Sequence, residues 1–272
     1  MPTIEENGLT INYGEAGEGP VLVLLHAAGS TGAQWRGVLG ELDDKYHTIT
    51  PDGWGHGKSS FWPDPDTVLH DDQADLVKRI LDEVGVERFD LIGHSYGGGT
   101  AIRFVLEHPE MVRSLVLIEP VLINLAFADN PELKALYAQD HQGFEEAWQR
   151  GDLEMAAREF SRMWGDGRPW QDVPEHAKQT MIDKIGMIKA GEHNVIGDRY
   201  GFSKPGRLAS VDVPVLLIEG AASHLSAGAV NTALQHRLPQ AQRAVIEGAG
   251  HMLPITHAAE TAQAIDGFWA GH

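Results

Sequence analysis

Short, uninterrupted apolar runs alternate along the chain with longer segments whose apolar residues recur every three or four positions. The runs Val21–Leu25, His47–Thr50, Phe89–Gly93, Ser114–Ile118, Val215–Ile218 and Arg243–Ile246 are strand candidates. Their β-branched content and continuous hydrophobicity suit a sheet covered on both faces. Helices are expected over Thr31–Asp44, Thr67–Val84, Tyr96–Glu107, Ala227–Arg237 and Ala258–Ala270. Strand and helix in alternation imply right-handed crossovers and an α/β fold with a mostly parallel sheet flanked by helices. The opening stretch TIEENGLTINYGE reads as a hairpin about Asn7-Gly8, which adds an antiparallel edge.

One region breaks the rhythm. From Val121 to Pro205 only helical stretches occur, with Pro131 and Pro174 near helix starts, where a missing N–H costs nothing. A segment of that length is an insertion, not a loop. The expected division is a core of residues 1–120 and 206–272, with 121–205 covering one end of the sheet.

Composition narrows the function. The 272 residues are 42% hydrophobic and 22% charged, an ordinary globular balance. A formal net charge of −18 argues against nucleic-acid or anionic-membrane partners. With no cysteine there is no disulfide and no thiolate chemistry. The first residues lack the pattern of a signal peptide, and no apolar run approaches the roughly 18 residues of a membrane helix. A soluble, cytoplasmic protein is expected. No His-Glu-x-x-His pattern occurs, and neither a metal nor a cofactor is expected.

The chemistry gathers at FDLIGHSYGGG. A strand ends at Gly93, a helix begins near Tyr96, and Ser95 stands at the corner in Gly-x-Ser-x-Gly spacing. That context makes Ser95 a candidate nucleophile, held in a strained turn above a helix N-terminus. The candidate base is His251, which the glycine-rich EGAGHMLP returns over the strand ends. His94 is read as a packed hydrogen-bonding residue, and His70, His141, His176, His193, His236 and His257 as surface or helix-end residues. The backbone N–H groups of Ala28, in LLHAAGS, and of Tyr96 are the candidate oxyanion donors.

These motifs resemble the α/β-hydrolase superfamily over nearly the whole chain: HAAGS, PDGWGHGKS (Pro51–Ser59), GHSYGG and GAGHMLP. GHGKS also mimics the end of a phosphate-binding loop, but Asp52 stands where that motif needs glycine. The resemblance implies that the insertion is a helical cap. It also implies an acidic residue after the next-to-last strand, where this chain has Ser223, followed by His224. Neutralising the acid in a comparable triad costs on the order of 10⁴ in turnover. Glu119, a carboxylate at the end of the apolar run SLVLIEPV, fills the need from another place. Haloalkane dehalogenases and the hydrolases of a fungal macrolactone toxin take their acid there. Glu219 and Asp129 are weaker competitors.

The expected activity is hydrolysis of a small apolar carboxylic ester or lactone through an acyl-enzyme, with Ser95, His251 and Glu119 as the triad. Serine at the elbow disfavours epoxide and haloalkane chemistry, which need a carboxylate nucleophile. The alternatives are a carbon–carbon bond hydrolase of dienoate or β-diketone type, for which Arg158, Arg162 or Arg168 could anchor a substrate carboxylate, and a non-catalytic ligand binder. Trp148, Trp164, Trp170, Met163, Met181 and Met187 are the cap residues from which a pocket could draw.

Overall fold

The computed structural model describes residues 1–42, 45–61, 69–238 and 240–271. β1 (Thr3–Glu6) and β2 (Leu9–Ala16) form the expected hairpin. It turns at Asn7 and Gly8 with φ of 52° and 77°, the left-handed pair that a two-residue hairpin loop requires. Then come β3 (Val21–Leu25), β4 (His47–Pro51), β5 (Phe89–His94), β6 (Val112–Ile118), β7 (Val215–Gly220) and β8 (Gln242–Ile246). They build one sheet in the order β1-β2-β4-β3-β5-β6-β7-β8. β2 is antiparallel to both neighbours, and every pairing from β4 to β8 is parallel.

Helices α1 (Arg36–Glu41), α2 (His70–Val84) and α3 (Tyr96–Glu107) follow β3, β4 and β5. The stretch between β6 and β7 holds α4 (Ile123–Asp129), α5 (Glu132–Gln149), α6 (Leu153–Trp164) and α7 (Glu175–Ile196), the helical cap insertion. α8 (Leu225–Arg237) follows β7, and α9 (Leu253–Thr256) and α10 (Ala258–Trp269) follow β8.

The unbroken apolar runs are explained by the two faces they serve. Val23, Leu91, Leu115, Leu117, Val215 and Leu217 meet Leu76, Ile80, Phe104 and Leu234 of α2, α3 and α8. The alternate residues Leu22, Leu24, Ile92, Val116, Ile118 and Ile218 meet Val38 of α1 and Ile265 and Phe268 of α10. A side-chain period of two thus divides one apolar sequence between two buried layers. The cap has a small core of its own, formed by Phe144, Ala147, Ala156, Ala157 and Ile185.

Two expected helices differ. Thr31–Asp44 is a 3-10 turn over Gly32–Trp35 followed by α1, which ends before Leu42. Gly37 and Gly40 weaken the helix. Gly32 is drawn tightly against β4, where a Cβ would lie 2.6 Å from the Thr50 carbonyl. Asp43 and Asp44 lie outside the described residues. α2 begins at His70, and the expected residues Thr67 and Val68 lie outside them too. Among the described residues no helix is long and apolar enough to cross a membrane.

Candidate active site

Ser95 occupies the corner between β5 and α3 with φ 56° and ψ −118°. That conformation is costly for a residue with a side chain. Glycines make it possible: a Cβ on Gly93 would lie 2.4 Å from the Gly97 carbonyl, and one on Gly97 would lie 2.5 Å from that of Leu25. The parallel register pairs His94 with Ile118 and Ile118 with Ile218, so β5, β6 and β7 end together. Ser95 and Glu119 each donate their backbone N–H to the next strand, to Ile118 and Ile218, both at 2.9 Å.

Glu119 also has a positive φ, 42°, and its carboxylate is buried against the loop that carries His251. His251 Nδ1 donates to Glu119 Oε2 at 2.7 Å, and Nε2 accepts from Ser95 Oγ at 2.9 Å. A carboxylate can only accept, which places the neutral imidazole proton on Nδ1 and leaves Nε2 free to take the serine proton. Glu119 Oε1 accepts from the Gly220 N–H at 2.8 Å and from the Ser223 hydroxyl. Burial alone raises a carboxyl pKa. Here the hydrogen bond and charge of His251, with the Gly220 and Ser223 donors, outweigh burial and hold Glu119 below the usual carboxylate range. The two competing acids are engaged elsewhere. Glu219 pairs with Arg243 at 2.6 Å and Asn231 at 2.7 Å, and Asp129 pairs with Arg237 at 2.8 Å.

Ala28, Ser95 and Tyr96 line one cavity. The Ala28 N–H makes no hydrogen bond among the described residues. Two histidines fix the turn that carries it. His56 Nε2 accepts from the Gly29 N–H and His26 Nε2 from the Gly53 N–H, both at 3.0 Å. Burial is the main cause that lowers both pKa values and keeps the rings neutral. Asp52 ties the same loops together by accepting from the Gly32 N–H at 2.9 Å and from the Asn12 amide at 2.7 Å. The resemblance to a phosphate loop therefore has a structural explanation: this segment buttresses the turn after β3.

His94 is packed and hydrogen-bonded, as expected, and it links two candidate elements. Its Nε2 donates to the His251 carbonyl at 2.9 Å, and its Nδ1 accepts from Gln34 Nε2 at 2.9 Å. Gln34 Oε1 in turn accepts from the Ala27 N–H at 3.2 Å. Burial, then the charge of His251, holds His94 well below the usual imidazole range.

Of the other histidines, His70 meets the expectation only in its place at a helix end, and His141 corrects it. His70 starts α2 but is fully buried, because Gly99 leaves room for its ring: a Cβ there would lie 2.4 Å from Nε2. His141 is buried between Tyr137 and Phe144. His176, His193 and His236 are exposed and His257 is half-buried.

The cavity over Ser95 has about 700 Å³ of empty space, mouth included, and its walls come mainly from the cap. Of the six cap candidates, Trp164 and Met187 line it; the Trp164 ring stands edge-on to His251 at 4.9 Å. Tyr137, Phe144, Phe160, Ile188 and Val195 also line it, and nothing in the sequence singled them out. Arg158, Arg162 and Arg168 line a separate cleft instead, where Arg162 pairs with Glu159 and Arg168 with Asp166. Among the described residues one group has spacing suited to a metal: ligand atoms of His141, Glu145 and Glu192 lie within 4.8 Å of one another. The Lys189 ammonium already bridges both carboxylates, so the cluster carries its own cation.

Comparison with known proteins sharpens this picture. A 2-hydroxy-6-oxo-6-phenylhexa-2,4-dienoate hydrolase of Comamonas testosteroni is 36% identical over 119 residues, 40% of this chain and 40% of that protein. The chain thus spans about two fifths of the length of this relative. An uncharacterised carboxylesterase of Bacillus subtilis (strain 168) is 28% identical over 244 residues, 88% of this chain and 75% of its own. Among solved structures, an N-acyl homoserine lactone degrading enzyme superposes with a TM-score of 0.75 at 24% identity, over 98% of this chain and 100% of its own. A family model described as alpha/beta hydrolase fold matches residues 20–258. With that match, this sheet order and a helical cap over the elbow, the chain belongs to the α/β-hydrolase family.

Proposed function

We propose that the chain is a serine hydrolase that breaks a bond to the carbonyl carbon of a small, largely apolar substrate. The supporting observation is the unbroken hydrogen-bond line Ser95–His251–Glu119, buried beneath an apolar cavity. Ser95 Oγ attacks the carbonyl while His251 Nε2 takes its proton. Glu119 holds the ring and balances the imidazolium, and the Ala28 and Tyr96 N–H groups receive the oxyanion. His251 then protonates the leaving group, activates a water, and the acyl-enzyme is hydrolysed. Simple ligand binding needs neither a strained Ser95 nor a buried carboxylate beneath His251, and each is costly.

Two leaving groups fit this machinery. A carbon leaving group, as in dienoate hydrolysis, has the stronger support from comparison, since the Comamonas relative and one from Burkholderia cepacia are named as dienoate hydrolases. An oxygen leaving group, from an ester or lactone, is favoured by one feature of this chain. Lys189, a cation among the cavity's lining residues, is occupied by Glu145 and Glu192 and does not stand ready for a substrate carboxylate. The test is direct. A fluorophosphonate should label the wild type and not Ser95→Ala; an unreactive wild type would favour a ligand binder. Turnover of aryl esters, macrolactones and dienoates, with Ser95→Ala as blank, then separates the two leaving groups.

A further inference from the structure

The cavity over Ser95 is bounded on one side by His141, Lys189 and Glu192, which with Glu145 behind them form a polar square at the seam between α5 and α7. α5 contributes His141 and Glu145, one turn apart, and α7 contributes Lys189 and Glu192. The Lys189 ammonium bonds Glu145 across the seam and Glu192 on its own helix. His141 Nε2 reaches across to Glu192 at 2.8 Å and lies 3.4 Å from Glu145. Lys189 also sits 5.6 Å from the centre of the Phe144 ring, which lines the same cavity. Behind this square lies a second cleft, which shares Tyr137, His141, Lys189 and Glu192 with the first and continues to Phe127 and Ile196. The square is thus a partition between two mainly apolar spaces.

We infer that the Lys189–Glu145–Glu192–His141 square is the end wall that sets substrate length, limiting this site to uncharged acyl groups that stop short of it. This rests on the reading of Ser95 as a hydrolase nucleophile. An apolar chain that pressed into the square would strip partners from at least one half-buried charge, a cost that exceeds the gain from a few extra methylenes. The one ammonium of the square is already held by two carboxylates, so the wall offers no free cation to an anionic tail. Opening the wall joins the first cavity to the second cleft and admits longer chains.

The experiment compares kcat/KM for p-nitrophenyl butyrate and octanoate in wild type, Lys189→Arg and the double variant Lys189→Ala/Glu145→Gln. The double variant removes one charge of each sign and leaves Glu192 bonded to His141. The octanoate-to-butyrate ratio should rise at least about ten-fold in the double variant and stay at the wild-type value in Lys189→Arg. An unchanged ratio in a folded double variant overturns the inference. So does a wild type that is labelled faster by a long-chain alkyl fluorophosphonate than by a short one, a measurement that needs no variant to fold. If the wild type is not labelled at any chain length, the hydrolase reading itself fails. Labelling at Ser95 with an unchanged ratio removes only the wall.

Discussion

The Ser223 hydroxyl donates to Glu119 Oε1, the oxygen that does not face His251. Ser223 stands in the loop after β7, where relatives of this fold usually carry the acid, and Glu119 stands at the end of the neighbouring strand β6. The two positions therefore meet at the Glu119 carboxylate, Ser223 on one oxygen and His251 on the other. Position 223 carries no carboxylate, but its hydroxyl is a hydrogen-bond donor to the one at 119.

That relationship makes Ser223→Ala a mild variant. Glu119 retains His251 and the Gly220 N–H, so kcat should fall about ten-fold or less. The loss of one donor should raise the Glu119 pKa and move the acid limb of the kcat profile upward. An acid limb unmoved in Ser223→Ala would show that this hydroxyl does not tune the carboxylate.

The same convergence predicts a rescue. In a Glu119→Gln background, Ser223→Asp should restore at least about ten-fold of the lost turnover, because it sets a carboxylate beside the group that bonds His251. Steady-state kinetics on the single and double variants provide the measurement. A double variant no better than Glu119→Gln would mean that the loop after β7 cannot deliver an anion to His251.

Gln34 and His94 should matter without touching substrate. Together they connect the Ala27 N–H, beside the proposed oxyanion donor, to the His251 carbonyl. Gln34→Leu leaves His94 Nδ1 and the Ala27 N–H buried without their partner. A fall in kcat of about ten- to a hundred-fold is expected, with KM little changed. A proportionate loss of thermal stability with unaltered kcat would reduce the pair to a packing role.

Acid should destabilise the fold through buried histidines before it protonates Glu119. His70 is held at about 3, mainly by burial, against 6.5 in the unfolded chain. Between those values the unfolded state binds the extra proton, so stability is full above about pH 6.5 and is lost as pH falls toward the folded value. His26, His56 and His94 are lowered in the same sense. Urea denaturation at pH 7 and pH 4.5 should show a drop, and His70→Phe should reduce it. A pH dependence that is unchanged in His70→Phe would place the acid sensitivity elsewhere.

Much of this was legible in the sequence because the signals were local. The apolar runs located the sheet, and Gly-x-Ser-x-Gly between strand and helix located the elbow. A carboxylate closing the run SLVLI stood out because a charge there needs a partner. The pocket was not legible in the same way. Tyr137 and Phe160 share their helices with residues that form the cap's small core, Phe144 belongs to both core and pocket wall, and helical spacing does not tell one face from the other. Gln34 was invisible for another reason: its partner His94 lies 60 residues away, and nothing in its neighbours predicts the contact. His70 stands at a helix end as expected, but its burial was not legible because it depends on Gly99, a missing side chain on a different helix.

The most direct measurement is the pre-steady-state acylation rate of Glu119→Gln with an activated aryl ester, beside that of the wild type. The amide keeps the size and can still accept from Nδ1, but it cannot balance an imidazolium. A fall on the order of 10⁴ with the fold intact is expected. A rate within about ten-fold of wild type would mean that His251 draws its charge balance from another group, and Glu119 would lose its place as the acid.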